Sequence, residues 1–299
     1  MRALLAVLML AQAWPAEAHG GTDALVTGAA WTCDPWLITP LCVLAGTFLI
    51  GSGRVWHAAG FGRGVSIGQA AAFWTGWLAL ALALVSPLHW LGERLFAAHM
   101  IEHELLMIVA APLLAYARPS GAMIWSLPVR LRPFVGGVTS AAPVLAVWAL
   151  LGHPVTATAL HGAALWLWHA PVLYMLALSN EAAHRIEHLS FFLTGFLFWW
   201  VLFHGRGPGR GERVRDVVAI GCLFVTILHS GLLAALLTLS PHVLYPAQVQ
   251  FSSEFGLTPL EDQQLAGVLM WVPMGAVYTA AALFFAHRLL TMRAPLAAH

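Results

Sequence analysis

Apolar segments of membrane-crossing length leave this chain few folds to choose from. They fall near residues 36–53, 67–86, 97–116, 153–176, 184–203, 217–238 and 265–286. About 20 apolar residues cross the hydrocarbon of a bilayer as an α-helix. No water is available there to a backbone N–H or C=O, so a spanning segment must satisfy its own polar groups, as a helix does. Composition agrees: 60% of the 299 residues are hydrophobic and 9% charged, against about 25% charged in a soluble domain. The fold class expected is all-α, a polytopic membrane protein with seven transmembrane helices following a cleaved signal peptide.

The signal peptide is read from Arg2, the apolar run Leu4–Trp14 and the small-residue cleavage pattern Ala16-Glu17-Ala18. The expected organisation is a signal peptide over 1–18, a periplasmic tail over 19–35, a membrane domain over 36–290 and a cytoplasmic tail over 291–299. Charge tests the count. With the mature N-terminus outside, seven spans leave Arg54, Arg63, Arg118, Arg130, Arg132, Arg206, Arg210, Arg213, Arg215, Arg288 and Arg293 in the cytoplasm and only Arg94 and Arg185 outside. The apolar segment 133–151 is therefore read as interfacial or re-entrant, since counting it as a span would reverse the Arg206–Arg215 cluster. The localisation expected is a bacterial inner membrane, multi-pass. All 14 basic residues are arginine and form no basic block, so nucleic acid is not expected as a partner; the lipid bilayer is. Cys42 and Cys222 read as small core residues, and Cys33 lacks an obvious disulfide partner.

Histidines stand out against this background. Two i, i+4 pairs occur, His99-Met-Ile-Glu-His103 and His184-Arg-Ile-Glu-His188, and each pair shares one helical face. Ionisable residues inside a membrane are functional by default. In the expected topology both pairs occupy the outer turns of their spans, and His169 lies about 10 Å below the outer end of the fourth. Asp262 stands at the outer entrance to the seventh, with Met270 about two turns further in. With His229 about 13 Å below the outer end of the sixth, polar groups from five spans thus converge on one outer layer. Imidazole suits copper, zinc or haem iron, and thioether sulfur suits Cu(I). The expected metal ligands are His99, His103, His169, His184, His188, Asp262 and Met270, and the expected cargo is copper. Glu102 and Glu187 are either carboxylates that orient an imidazole or surface acids. His161 and His229 read as hydrogen-bonded packing residues, and His89 as incidental to a loop.

The combination His99-Met-Ile-Glu-His103-Glu-Leu-Leu-Met107 with Ala110-Ala-Pro112, Leu165-Trp-Leu-Trp-His169-Ala-Pro171, His184-Arg-Ile-Glu-His188-Leu-Ser-Phe191 and Glu261-Asp262-Gln-Gln-Leu-Ala-Gly267 resembles the multi-span CtaG family of bacterial cytochrome c oxidase assembly factors. The resemblance implies a role in maturing a haem–copper oxidase, with copper delivered to its catalytic subunit, and periplasmic copper chaperones as further partners. It implies no enzymatic activity. Two other classes stay open at this point: a b-type haem redox protein and a metal or proton transporter. The pattern His-x-x-Glu-His differs from the zinc-protease pattern His-Glu-x-x-His, which excludes that reading.

Overall fold

A computed structural model describes residues 31–205, 211–246 and 248–291. The signal peptide, most of the N-terminal tail and all but Thr291 of the C-terminal tail lie outside the described residues. No strand occurs among those residues. Six helical stretches are long and apolar enough to cross a membrane. They are α1 (Pro35–Ala59), α2 (Ile67–Val85), the continuous stretch Phe96–Ala117, α11 (Glu181–His204), α12 (Glu212–Leu239) and α13 (Pro259–Thr291). Short α3 (Pro87–Gly92) links the second to the third.

Local chemistry sets many of the ends. Asp34 caps α1 by accepting from Trp36 N at 2.9 Å, ahead of Pro35 in the first turn. Ser66 and Gln69 form a reciprocal capping box on α2. The Phe96–Ala117 stretch is not one uniform helix: α4 (Phe96–Glu104) passes through a π-helical turn (Leu105–Ala110) into α5 (Ala111–Ala117). Pro112 explains what holds this turn. Ala111 N donates to Leu106 O, a bond across five residues, and in that register Met107 O would need the N–H that Pro112 lacks. The indole of Trp199 on α11 supplies it, donating to Met107 O at 3.0 Å.

Two other apolar stretches are sharply bent. α7 (Arg132–Ser140) and α8 (Ala142–Leu151) meet at 64°, and α9 (Pro154–Trp168) and α10 (Pro171–Ser179) at 73°. The expected fourth span, 153–176, is therefore two helices. Pro171 disfavours helical backbone at Ala170, which is extended (φ −67°, ψ 129°). Beyond α5, Arg118 adopts a left-handed conformation (φ 50°) and turns the chain into α6 (Pro119–Ser126), which packs on α1. There Arg54 donates to the terminal carbonyls of Trp125, Ser126 and Leu127.

The Phe96–Ala117 stretch is the central column, 67% buried against 22% for α1 and α13 over their most apolar windows. α12 and α13 lie so close that a Cβ on Gly267 would meet Ala234 O at 2.9 Å. Large apolar side chains such as Leu49, Phe224, Leu232 and Val272 point outward, as expected where the surrounding solvent is lipid. Cys42 also lies on an exposed face, a correction to its expected place in the core. Lipid tails are as apolar as a protein interior, so an apolar neighbourhood in sequence does not separate the two.

Candidate functional site

The polar centre is built at one end of the bundle from α3, α4, α9 and α11. On α4, His99 and His103 follow each other by one turn, with ring centroids 4.2 Å apart. On α11, His184 and His188 do the same at 4.3 Å. The two pairs face each other: the His99 ring lies 5.3 Å from His184 and 5.6 Å from His188, and His103 lies 5.2 Å from His188. Glu187 stands between them, with its oxygens 3.7 Å from His99 Nε2 and 3.7 Å from His103 Nε2. Glu102 reaches outward to His89 Nδ1 at 2.9 Å and inward to His99 Nδ1 at 3.5 Å.

These groups are deeply buried and short of partners. His99, Glu102 and Glu187 have no exposed surface, and His103 has 1%. Both ring nitrogens of His99 and of His103, and both oxygens of Glu187, lack a hydrogen-bond partner among the described residues. Buried polar atoms are nearly always paired, and leaving one unpaired costs about 1–3 kcal/mol. Six such atoms from three side chains are concentrated here. One ligand atom from each of His99, His184, Glu187 and His188 lies within 4.8 Å of every other. A second group of the same kind joins His89, Glu102 and His184. Burial works against charge on His89, yet its contact with Glu102 outweighs this and raises its pKa above the usual imidazole value.

A family model described as the cytochrome c oxidase caa3 assembly factor matches residues 46–292. The chain belongs to this assembly-factor family. It is 27% identical over 251 residues to uncharacterized proteins of Mycobacterium bovis and Mycobacterium tuberculosis, and 25% identical over 254 residues to one of Mycobacterium leprae. Those alignments cover 79–81% of this chain but only 36% of each relative, so the chain spans about a third of their length. No solved structure matches it.

Within this family member the expected ligands are treated unequally. His99, His184 and His188 are drawn together with Glu187. His103 flanks that group, its ring 4.5 Å from Phe191. His169 lies on the far side of His103, ring centroids 6.2 Å apart. It is the residue at which α9 ends: its Nδ1 contacts Leu165 O at 2.7 Å, and its own carbonyl accepts the Tyr245 hydroxyl at 2.6 Å. Asp262 is engaged elsewhere. Its two oxygens accept from Phe96 N and Ala97 N at 2.9 Å each, capping α4 from a helix 165 residues further on. Met270 is 2% exposed and belongs to the apolar core. His161 bonds Tyr278 Oη at 3.1 Å, as expected of a packing histidine.

The structure gives three members of the centre a place that their sequence positions do not announce. Glu102 and Glu187 sit at the fourth position of each His-x-x-x-His pair, just before its second histidine, and place their carboxylates among the imidazoles. His89 reads in the sequence as incidental to a loop. Its signal was available: it lies only ten residues before His99, on the short link that returns the chain to the same end of the bundle.

Proposed function

We propose that this cytochrome c oxidase assembly factor holds a copper ion among His99, His184, Glu187 and His188 and delivers it to the catalytic subunit of the oxidase. Family membership carries the assembly role. A bound metal ion is supported by the donor geometry, and copper rather than zinc by the oxidase that the family assembles. Four ligand atoms about 2.1 Å from one tetrahedral ion lie about 3.4 Å from one another. Across this group His184 Nε2 to His188 Nε2 is 3.1 Å, and His99 Nε2 to Glu187 Oε2 is 3.7 Å. These two separations stand near what one ion requires, and the ligand atoms of the whole group lie within 4.8 Å of one another. Imidazole-rich donors suit copper or zinc, whereas calcium and magnesium want oxygen cages.

Delivery demands release as well as binding. His184 and His188 line a cavity of about 330 Å³ that opens at the histidine end, so cargo held here has a way out. One carboxylate among neutral imidazoles gives moderate charge neutralisation rather than a closed thiolate cage. In the topology read from the arginines this end faces the periplasm, where copper chaperones would supply the ion. We assign the protein no catalytic step.

The test is elemental analysis of detergent-purified protein for copper, zinc and iron, with an absorption spectrum of the same sample, for wild type and His99→Ala/His188→Ala. Copper near one per chain in the wild type and absent from the variant is the expected result. Haem iron with a Soret band would replace the copper reading by a redox one. A wild type that binds no copper on loading would overturn it.

A further inference from the structure

We propose that His89, Glu102 and His184 form a second cation position, a loading site through which a transition-metal ion reaches the buried cluster. The inference rests on the reading of that cluster as a metal-holding site and adds the route by which the ion enters it. Ligand atoms of these three residues lie within 4.8 Å of one another. The His89 and His184 rings are stacked, 5.4 Å between centroids, and His89 Nδ1 lies 2.9 Å from Glu102 Oε1.

Three features make this a loading position rather than a structural hydrogen bond alone. First, it borders the outside. His89 and His184 line the cavity of about 330 Å³, whereas His99 and Glu102 lie behind it with no exposed surface. Second, the cavity favours cations. Asp34, Glu93 and Glu181 line it against one arginine, Arg185, which is itself paired with Asp34 and Glu181. An acid-lined cleft raises the local concentration of cations.

Third, the two positions are joined by shared groups. His184 belongs to both, and Glu102 turns one oxygen to His89 and the other to His99 Nδ1, 3.5 Å away. An ion bound outside can therefore exchange His89 and Glu102 for His99, Glu187 and His188 while His184 stays attached. No step exposes a bare ion to the membrane interior, and charge is unchanged throughout. The shared ligand also makes the positions sequential stages for one ion rather than independent sites.

Stopped-flow mixing of the full-length, detergent-solubilised protein with Cu(II) tests this, read by quenching of tryptophan fluorescence, since Trp31 and Trp90 line the cavity. The wild type should show a fast phase that depends on copper concentration and a slower one that does not. His89→Ala should lose the fast phase and load about tenfold more slowly, the scale on which loss of a group near a metal acts, yet hold one copper per chain at equilibrium. His188→Ala should keep the fast phase and lose the tightly held ion. His89→Gln, which retains an amide beside Glu102 but is a poor copper ligand, carries the same expectation if the alanine variant does not fold.

Loading of His89→Ala and His89→Gln at the wild-type rate would overturn the proposal while leaving the buried site intact. So would a His89 variant that no longer retains copper at equilibrium, because His89 would then belong to the holding site. A wild type that binds no Cu(II) would instead overturn the metal-holding function itself.

Discussion

Replacing Asp262 with alanine separates two roles that a buried carboxylate beside a histidine cluster can have. In the structure Asp262 accepts from Phe96 N and Ala97 N, both at 2.9 Å, and has no exposed surface. α4 has Leu95 at its N-cap and no side-chain cap of its own. Its first turn therefore depends on Asp262 for two of the N–H groups that every helix start leaves unpaired. Each buried N–H left without a partner costs about 1–3 kcal/mol. The alanine variant is also relieved of burying a carboxylate, which places the expected net loss near the low end, at about 3 kcal/mol for the pair. At about 2 °C per kcal/mol for a chain of this size, melting should fall by about 6 °C. Asp262→Asn keeps one acceptor oxygen and should lose about half of that. The assay is thermal unfolding in detergent, followed by intrinsic fluorescence, with copper stoichiometry measured on the same samples at low temperature. The expected order is wild type, then asparagine, then alanine, with copper retained in all three. A melting temperature unchanged in Asp262→Ala together with loss of copper would refute the reasoning and make Asp262 a ligand.

Other substitutions test the supports of the site. Trp199→Phe keeps the aromatic packing but leaves Met107 O without its donor in the π-helical turn; a loss of about 1–3 kcal/mol is expected, read as a lower melting temperature. Gly92→Ala places a methyl group 2.2 Å from Glu102 Oε2, so the buried Glu102 must shift away from both His99 and His89; Cu(II) loading should slow and the melting temperature should fall, and a wild-type loading rate would count against the contact. At the opposite end, Arg288 pairs with the fully buried Asp216 through two donors, Nε lying 2.7 Å from Oδ2. Arg288→Ala should destabilise the α12–α13 pair by about 2 kcal/mol, discounted because Arg288 is partly exposed and because Arg215 Nε still lies 3.6 Å from Asp216 Oδ1; adding Asp216→Asn should recover part of that loss, since it reduces the buried charge.

Much of the site was legible in the chain because helical periodicity is local. His-x-x-x-His places two imidazoles on one face wherever a helix forms, and the arginine bias orients the spans without reference to packing. Together these put both histidine pairs at the same end of the bundle. What failed to follow were the distinctions among buried polar groups. Asp262 and Glu187 look alike in sequence, each an acid in an outer turn. One lies against the N–H groups of a neighbouring helix and the other stands between two histidine pairs. The fourth apolar stretch bends for a local reason, since Pro171 breaks the helix just after His169 and hydropathy averaged over a window does not register one proline.

The sequence alone determined that this is a helical membrane protein with paired histidines at one end of its helices. Hydrophobic length and backbone hydrogen bonding leave no other economical solution in lipid. Only the tertiary structure decided which of those polar residues meet. It brought Glu187 between His99 and His103, His89 onto Glu102, and Asp262 onto the start of α4. The reason is one of distance: helix formation relates residues three or four apart, whereas a site or a remote cap depends on how separate helices turn and pack, and no period in the chain encodes that.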